Sequence, residues 1–189
     1  MKKQLIALTL LCKVVGGSAL ARNEIGIYTT PDADPLNASY EGVPGQFTAY
    51  VVLTEPINDN TGAPIDVVGG FEFRLELPAN VFLLAGVFPP ATTNFATAPE
   101  YLCGSNIPVV DGRATLITLT LGEFSATPGQ IFISPVVVAP ASVPGNIAIT
   151  DFNDDFSISI AAPSSGDFAE PIFGIYMGVV PTEDASWGE

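Results

Sequence analysis

Histidine is absent from all 189 residues, and lysine is confined to positions 2, 3 and 13. Without an imidazole the chain cannot assemble Ser-His-Asp or Cys-His nucleophilic systems, or a zinc site with histidine ligands. Without lysine beyond position 13 the body of the chain has no Schiff-base or Ser-Lys chemistry. Cysteine is scarce too, with Cys12 and Cys103 the two present. Cys103, in Tyr101-Leu102-Cys103-Gly104, has no base beside it in sequence to activate the thiol and is expected to be a buried structural residue. No apolar run approaches the ~20 residues that a membrane-spanning helix needs.

The start of the chain reads as a secretory signal. Lys2 and Lys3 form a positive region, Leu5 to Leu11 an apolar one, and Gly16-Gly17-Ser18 breaks it before the small-x-small pattern Ala19-Leu20-Ala21. Cleavage is expected after Ala21. Lipidation of Cys12 is the lesser reading, because Leu11 stands where a lipobox has a small residue. The reading divides the chain into a signal at 1–21, one domain at 22–180 and an acidic polar tail at 181–189. Residues 22–189 carry Arg22, Arg74 and Arg113 against 20 acids, a net charge of −17. Such a surface repels nucleic acid and anionic lipid, keeps a strand-rich protein soluble, and favours basic partners or divalent cations. With Cys103 alone after residue 21 there is no internal disulfide, so the core must supply the stability.

Helical periodicity is almost missing after the signal, whereas period-two alternation recurs. In Gln46–Thr54, Phe47, Ala49, Val51 and Leu53 share one face. In Gly70–Leu77, Phe71, Phe73, Leu75 and Leu77 alternate with Glu72, Arg74 and Glu76, which predicts a strand with one face in the core and one in water. Arg113–Leu121 is apolar on both faces and reads as a central strand. Asp155–Ala161 is expected to turn Phe156, Ile158 and Ile160 inward and Ser157 and Ser159 outward. Weaker strands are expected at Glu24–Thr29, Val81–Val87, Gln130–Val138, Asn146–Thr150 and Pro171–Met177, with Pro135 demoting its segment to an edge or a bulge. Turn signals such as Asn58-Asp59-Asn60-Thr61-Gly62 and Pro144-Gly145 separate them. Eight or nine short strands so spaced predict an all-β chain folded as a single β-sandwich.

The strand order is similar to that of cohesin-type or carbohydrate-binding-type bacterial extracellular sandwiches of jelly-roll character. The resemblance rests on Gln46–Thr54 after Pro44-Gly45, on Gly70-Phe71-Glu72-Phe73-Arg74-Leu75 ending in a proline turn at Pro78, and on the Asp111-Gly112 strand running to Leu121. Ile25–Tyr28, Ser164–Asp167 and Phe173–Ile175 also resemble segments of short secreted bacterial proteins of unknown function. The resemblance implies a secreted, extracellular or cell-surface location and a protein partner bound through a sheet face.

Two groups of residues suggest chemistry. Asp151, Asn153, Asp154 and Asp155, and separately Asn58-Asp59-Asn60, offer several oxygen donors over a short arc, as calcium requires, although neither follows the twelve-residue EF-hand loop. Asx residues also populate turns by bonding their own backbone. Glu72 and Glu76 are a carboxylate pair, but on a strand their backbones stand ~13 Å apart, too far for retaining glycoside hydrolysis. Of the tyrosines 28, 40, 50, 101 and 176, Tyr50 is the best placed for a sugar platform. Asn37-Ala38-Ser39 is a glycosylation sequon. No enzymatic activity is expected. The leading expectation is a non-catalytic binding or scaffold module; the alternatives are a self-assembling surface-layer or filament subunit and a carbohydrate-binding module.

Overall fold

The computed structural model describes residues 22–176. The cleavage site after Ala21, Cys12, Met177, and the 181–189 tail with Trp187 lie outside the described residues. The chain is all-β, with one 3-10 turn at Pro35–Asn37, and among the described residues no helix is long and apolar enough to cross a membrane. Among the described residues twelve strands form, more than the eight or nine expected. They are β1 (Glu24–Tyr28), β2 (Ser39–Tyr40), β3 (Gly45–Thr54), β4 (Val67–Glu76), β5 (Val81–Val87), β6 (Thr93–Asn94), β7 (Glu100–Pro108), β8 (Arg113–Glu123), β9 (Gly129–Ser134), β10 (Ile147–Asp151), β11 (Ser157–Pro163) and β12 (Phe173–Ile175).

The strands pair in the order β2-β12-β9-β4-β10-β11-β1-β3-β8-β5, with β7 on β4 and β6 on β7. Two pairs, β1 with β11 and β2 with β12, are parallel, which makes the sheet mixed. β4 is the branch point. It pairs with β7 along one edge and with β10 and then β9 along the other. Inward rows from both arms meet in one hydrophobic cluster that includes Ile25, Leu53, Phe73, Leu119, Ile131, Ile149 and Phe173. Tyr40 stacks on Phe47 at 4.0 Å, which seats the short β2 against the core.

Alternation and burial agree for β3, where Phe47, Ala49, Val51 and Leu53 are all buried. β8 is central, between β3 and β5, as its two apolar faces predict. A bulge steps the β3–β8 pairing over Leu116, and this lets the consecutive Leu116 and Ile117 both be fully buried.

Four corrections follow, three to expectations and one to an omission. Glu72 faces away from the core yet is only 2% exposed, because the 136–144 loop folds over it. β9 ends at Ser134, just before Pro135, and has β12 and β4 on its two sides, so it is no edge strand. β7 had no expectation at all. Its inward row of Tyr101, Cys103, Ser105 and Ile107 has the right period, but Gly104 and the polar Ser105 mask it.

The fourth correction is β11, whose alternation is right and whose faces are reversed. Ser159 is 1% exposed, whereas Phe156, Ile158 and Ile160 are 51%, 41% and 42% exposed. The small inward residues leave room for the 58–61 loop, whose Asn58 side chain and Asp59 backbone N–H donate to the Ser157 and Ser159 hydroxyls at 2.9 Å each. Polar satisfaction set the register here, over hydrophobic preference.

Candidate functional site

The reversal of β11 creates an unusual outer sheet face. Ile158 stands opposite Thr150 and Ile160 opposite Ala148 on β10, which in turn pairs with Gly70 and Glu72 of β4. Gly70 pairs with Gly104 of β7. A groove of about 270 Å³ runs over this floor of Gly70, Gly104, Ala148 and Thr150. Phe95, 73% exposed, leans over Gly104, where a Cβ would meet its ring at 3.4 Å. Phe156 crowds Gly69 more closely, with a Cβ there only 2.7 Å from the ring. Side chains at these glycines would therefore collide with the walls or fill the groove. Phe152 packs edge-to-face on Phe156 at 5.3 Å and extends the apolar row. Exposed acids flank the apolar row: Asp59 Oδ2 accepts from the Ile160 N–H at 2.8 Å, and Asp154 and Asp155 immediately precede Phe156 in the chain.

The two acidic loops read as calcium candidates do come together, around an amide. Asn58 is 1% exposed, and its Nδ2 donates toward Asp151 Oδ2 at 3.0 Å, Asp154 Oδ2 at 2.8 Å and Ser157 Oγ at 2.9 Å. Its Oδ1 accepts from the backbone N–H of Asn60 and Thr61 at 2.9 and 3.3 Å, which fixes the orientation of the amide. Asp151 Oδ1 accepts from the backbone N–H of Asn153 at 2.9 Å. Bonds from Asn58 and then Ser157 hold the Asp154 carboxyl below the usual carboxylate range. The partially positive NH₂ of Asn58 thus stands where a cation would lie between Asp151 and Asp154. Asn153 and Asp155 are exposed, and Asp155 adopts the left-handed conformation at φ 45°. Among the described residues no three or more histidine, cysteine, aspartate or glutamate side chains gather as a metal set.

Three further carboxylates are buried, and each holds a loop whose backbone lacks strand partners. Glu100 accepts from Val137, Val138 and Ala139 N–H at 2.7–2.8 Å. Glu72 accepts from Ser142 at 2.9 Å and from Val143 at 3.3 Å. Glu123 accepts from the Ser125 N–H and hydroxyl, from Ala126 and from Asn80. Burial alone would raise the Glu123 carboxyl, but the Ser125, Ala126 and Asn80 donors outweigh it and hold the group at about 2. The Val138, Ala139 and Val137 donors, helped by Arg74, likewise lower Glu100 against its burial. In sequence Glu100 and Glu123 were legible only as solubilising surface, and Glu72 as that or as half of a carboxylate pair with Glu76. The signal that separates Glu72 and Glu100 from that role is the Pro-rich 135–144 stretch, which needs acceptors for its free N–H groups.

The other singled-out residues are structural. Glu72 is committed to the loop, and Glu76 accepts from the Ser134 hydroxyl at 2.6 Å. Cys103 is a free, buried thiol pushed up to about 12 by desolvation. Tyr28 and Tyr101 are buried, and Tyr40, Tyr50 and Tyr176 half-buried, so they form no row of exposed rings. The Asn37 side chain of the sequon donates to the Thr30 hydroxyl at 2.7 Å. No protein-family model matches the chain, and a search of the curated proteins finds no match.

Proposed function

We propose that this chain is a non-catalytic extracellular or bacterial cell-surface module that recognises a protein partner through the outer face of β10 and β11 and the adjoining Phe95–Phe156 groove. The observation that carries the reading is the outward row of Phe156, Ile158 and Ile160 beside Phe152, each at least 40% exposed. Burying such side chains is worth about 1.5–3 kcal/mol each, so leaving four together in water is a cost that a bound partner would relieve. The flanking acids and the net charge of −17 on residues 22–189 favour a partner with apolar anchors ringed by lysine or arginine. Two packed layers of a cohesin-like or jelly-roll sandwich are the fold we infer; the shared core beneath both arms of the sheet supports it. A carbohydrate ligand is less favoured, since the groove walls are phenylalanines with no hydrogen-bonding edge.

The test uses immobilised residues 22–189 and an Ile158→Lys/Ile160→Lys variant against the extracellular fraction of the producing cells. Surface changes of this kind are expected to shift stability by no more than about 0.5 kcal/mol each, so loss of binding would report the face itself. A partner retained by the native chain, lost by the variant and weakened by salt is the expected result. Equal retention by both chains would sink the proposal.

A further inference from the structure

We infer that β5 is the seam at which two copies of this chain join, edge to edge, as an antiparallel two-fold pair. The inference uses a different surface from the β10–β11 face and does not depend on it. β5 ends the strand order and among the described residues pairs with β8 alone, so beyond Val81, whose N–H donates to the Pro78 carbonyl at 3.0 Å, its outer edge has no ladder partner there. Charge and proline, which blunt many edge strands, are absent from Val81–Val87; a bulge at Leu84 interrupts its ladder with β8, and Phe82, Leu84 and Val87 are left exposed at 54%, 45% and 62%. Phe124, 59% exposed, adjoins them: its ring lies 6.5 Å from that of Phe82. Leu84 and Phe124 both lie over Gly122, where a Cβ would meet them at 3.0 and 2.8 Å. An open ladder edge and an apolar cluster thus coincide.

Charge selects the occupant. No Asp, Glu, Lys or Arg occurs from Leu77 to Pro99 or from Phe124 to Thr150, and Phe82, Leu84, Val87 and Phe124 all come from these two stretches. The nearest carboxylate in the ladder, Glu123, is fully buried. A chain this acidic repels a second copy of itself over most of its surface. At β5 the repulsion is missing, and the uncharged strand offers nothing to attract a basic partner. Antiparallel pairing about the middle of β5 would set the Val81 end of one copy beside the Val87 end of the other, on either side of the Leu84 bulge. A two-fold axis normal to the sheet then brings both Phe82–Leu84–Phe124 clusters onto the same side of the seam as one stripe.

Sedimentation and light scattering of residues 22–189 from micromolar to millimolar concentration test this, beside Leu84→Lys and Val87→Lys. The native mass is expected to double with concentration, while both lysine variants stay monomeric with an unchanged circular dichroism spectrum. Leu84→Cys, with Cys103 buried, is expected to give a covalent dimer under mild oxidant. A native chain monomeric at millimolar concentration overturns the inference. Amide exchange then says whether the edge stays open or is covered by residues 177–189. A dimer indifferent to both lysines, or a mass rising past two copies, also overturns it. None of these outcomes bears on the β10–β11 face, which the Ile158→Lys/Ile160→Lys comparison reads separately.

Discussion

Asn58→Ala is expected to lower stability by about 3 kcal/mol and the melting temperature by roughly 6–12 °C in a domain of this size. The reason lies in how many groups one amide serves. Its NH₂ faces two carboxylates and a hydroxyl, and its carbonyl accepts two backbone N–H groups; the backbone bonds to Ala63 and Gly62 would remain in the alanine variant. Removing the amide leaves the 7%-exposed Asp151 with one oxygen deprived of its donor. Thermal unfolding of the purified chain reads the effect, and a loss below about 1 kcal/mol would mean that water replaces the amide at little cost. Asn58→Asp is the sharper companion. It keeps an oxygen for Asn60 and Thr61 but turns a second oxygen toward Asp151 and Asp154, so the chain is expected to weaken in chelator and to recover with millimolar calcium. The native chain decides the calcium reading of Asp151, Asn153, Asp154 and Asp155 directly. An ion bound there would have to displace the Asn58 amide, and would then raise the melting temperature in proportion to the logarithm of its concentration.

The second large effect is in acid. The Glu123 carboxyl lies at about 2 in the fold against an ordinary 4.5, so the folded state binds its proton less readily than the unfolded chain. Its contribution is therefore complete above pH 4.5 and is lost as pH falls from there toward 2. Glu100, lowered by its three loop N–H donors, acts with the same sign. Denaturant midpoints measured from neutral pH downward are expected to fall steeply across this range. Glu123→Gln is expected to destabilise the chain at neutral pH, because one of its two acceptors becomes a donor facing the Ser125 or Ala126 N–H, which then lacks an acceptor. The variant should also show a shallower acid limb that converges with the native curve near pH 2. Parallel curves for the two chains would mean that Glu123 is not the group responsible.

Much of the fold was legible without coordinates. Every segment expected as a strand overlaps one, and Val81–Val87 matches β5 to the residue. Period-two patterning and turn residues are local properties, and a strand needs little more to be recognised. The burial of Cys103 was readable for a similar reason: its neighbours Tyr101 and Leu102 are apolar.

The candidate surfaces were not legible, and β11 shows why. A strand's alternation says which residues share a face, but not which face meets the core. Phe156, Ile158 and Ile160 would have gone inside had hydrophobicity alone decided. They go outside because Ser157 and Ser159 are needed as acceptors by a loop 99–100 residues earlier in the chain. Likewise, nothing near Glu72 in sequence announces a loop some 70 residues away that requires its oxygens.

The sequence by itself determined that this protein is all-β, acidic, without a histidine and without a lysine beyond position 13, because composition and period depend on no distant partner. The tertiary structure alone decided which carboxylates are internal anchors, which strand is left as an edge, and which apolar row faces water. Each of those depends on where the backbone of a remote loop must find its hydrogen bonds.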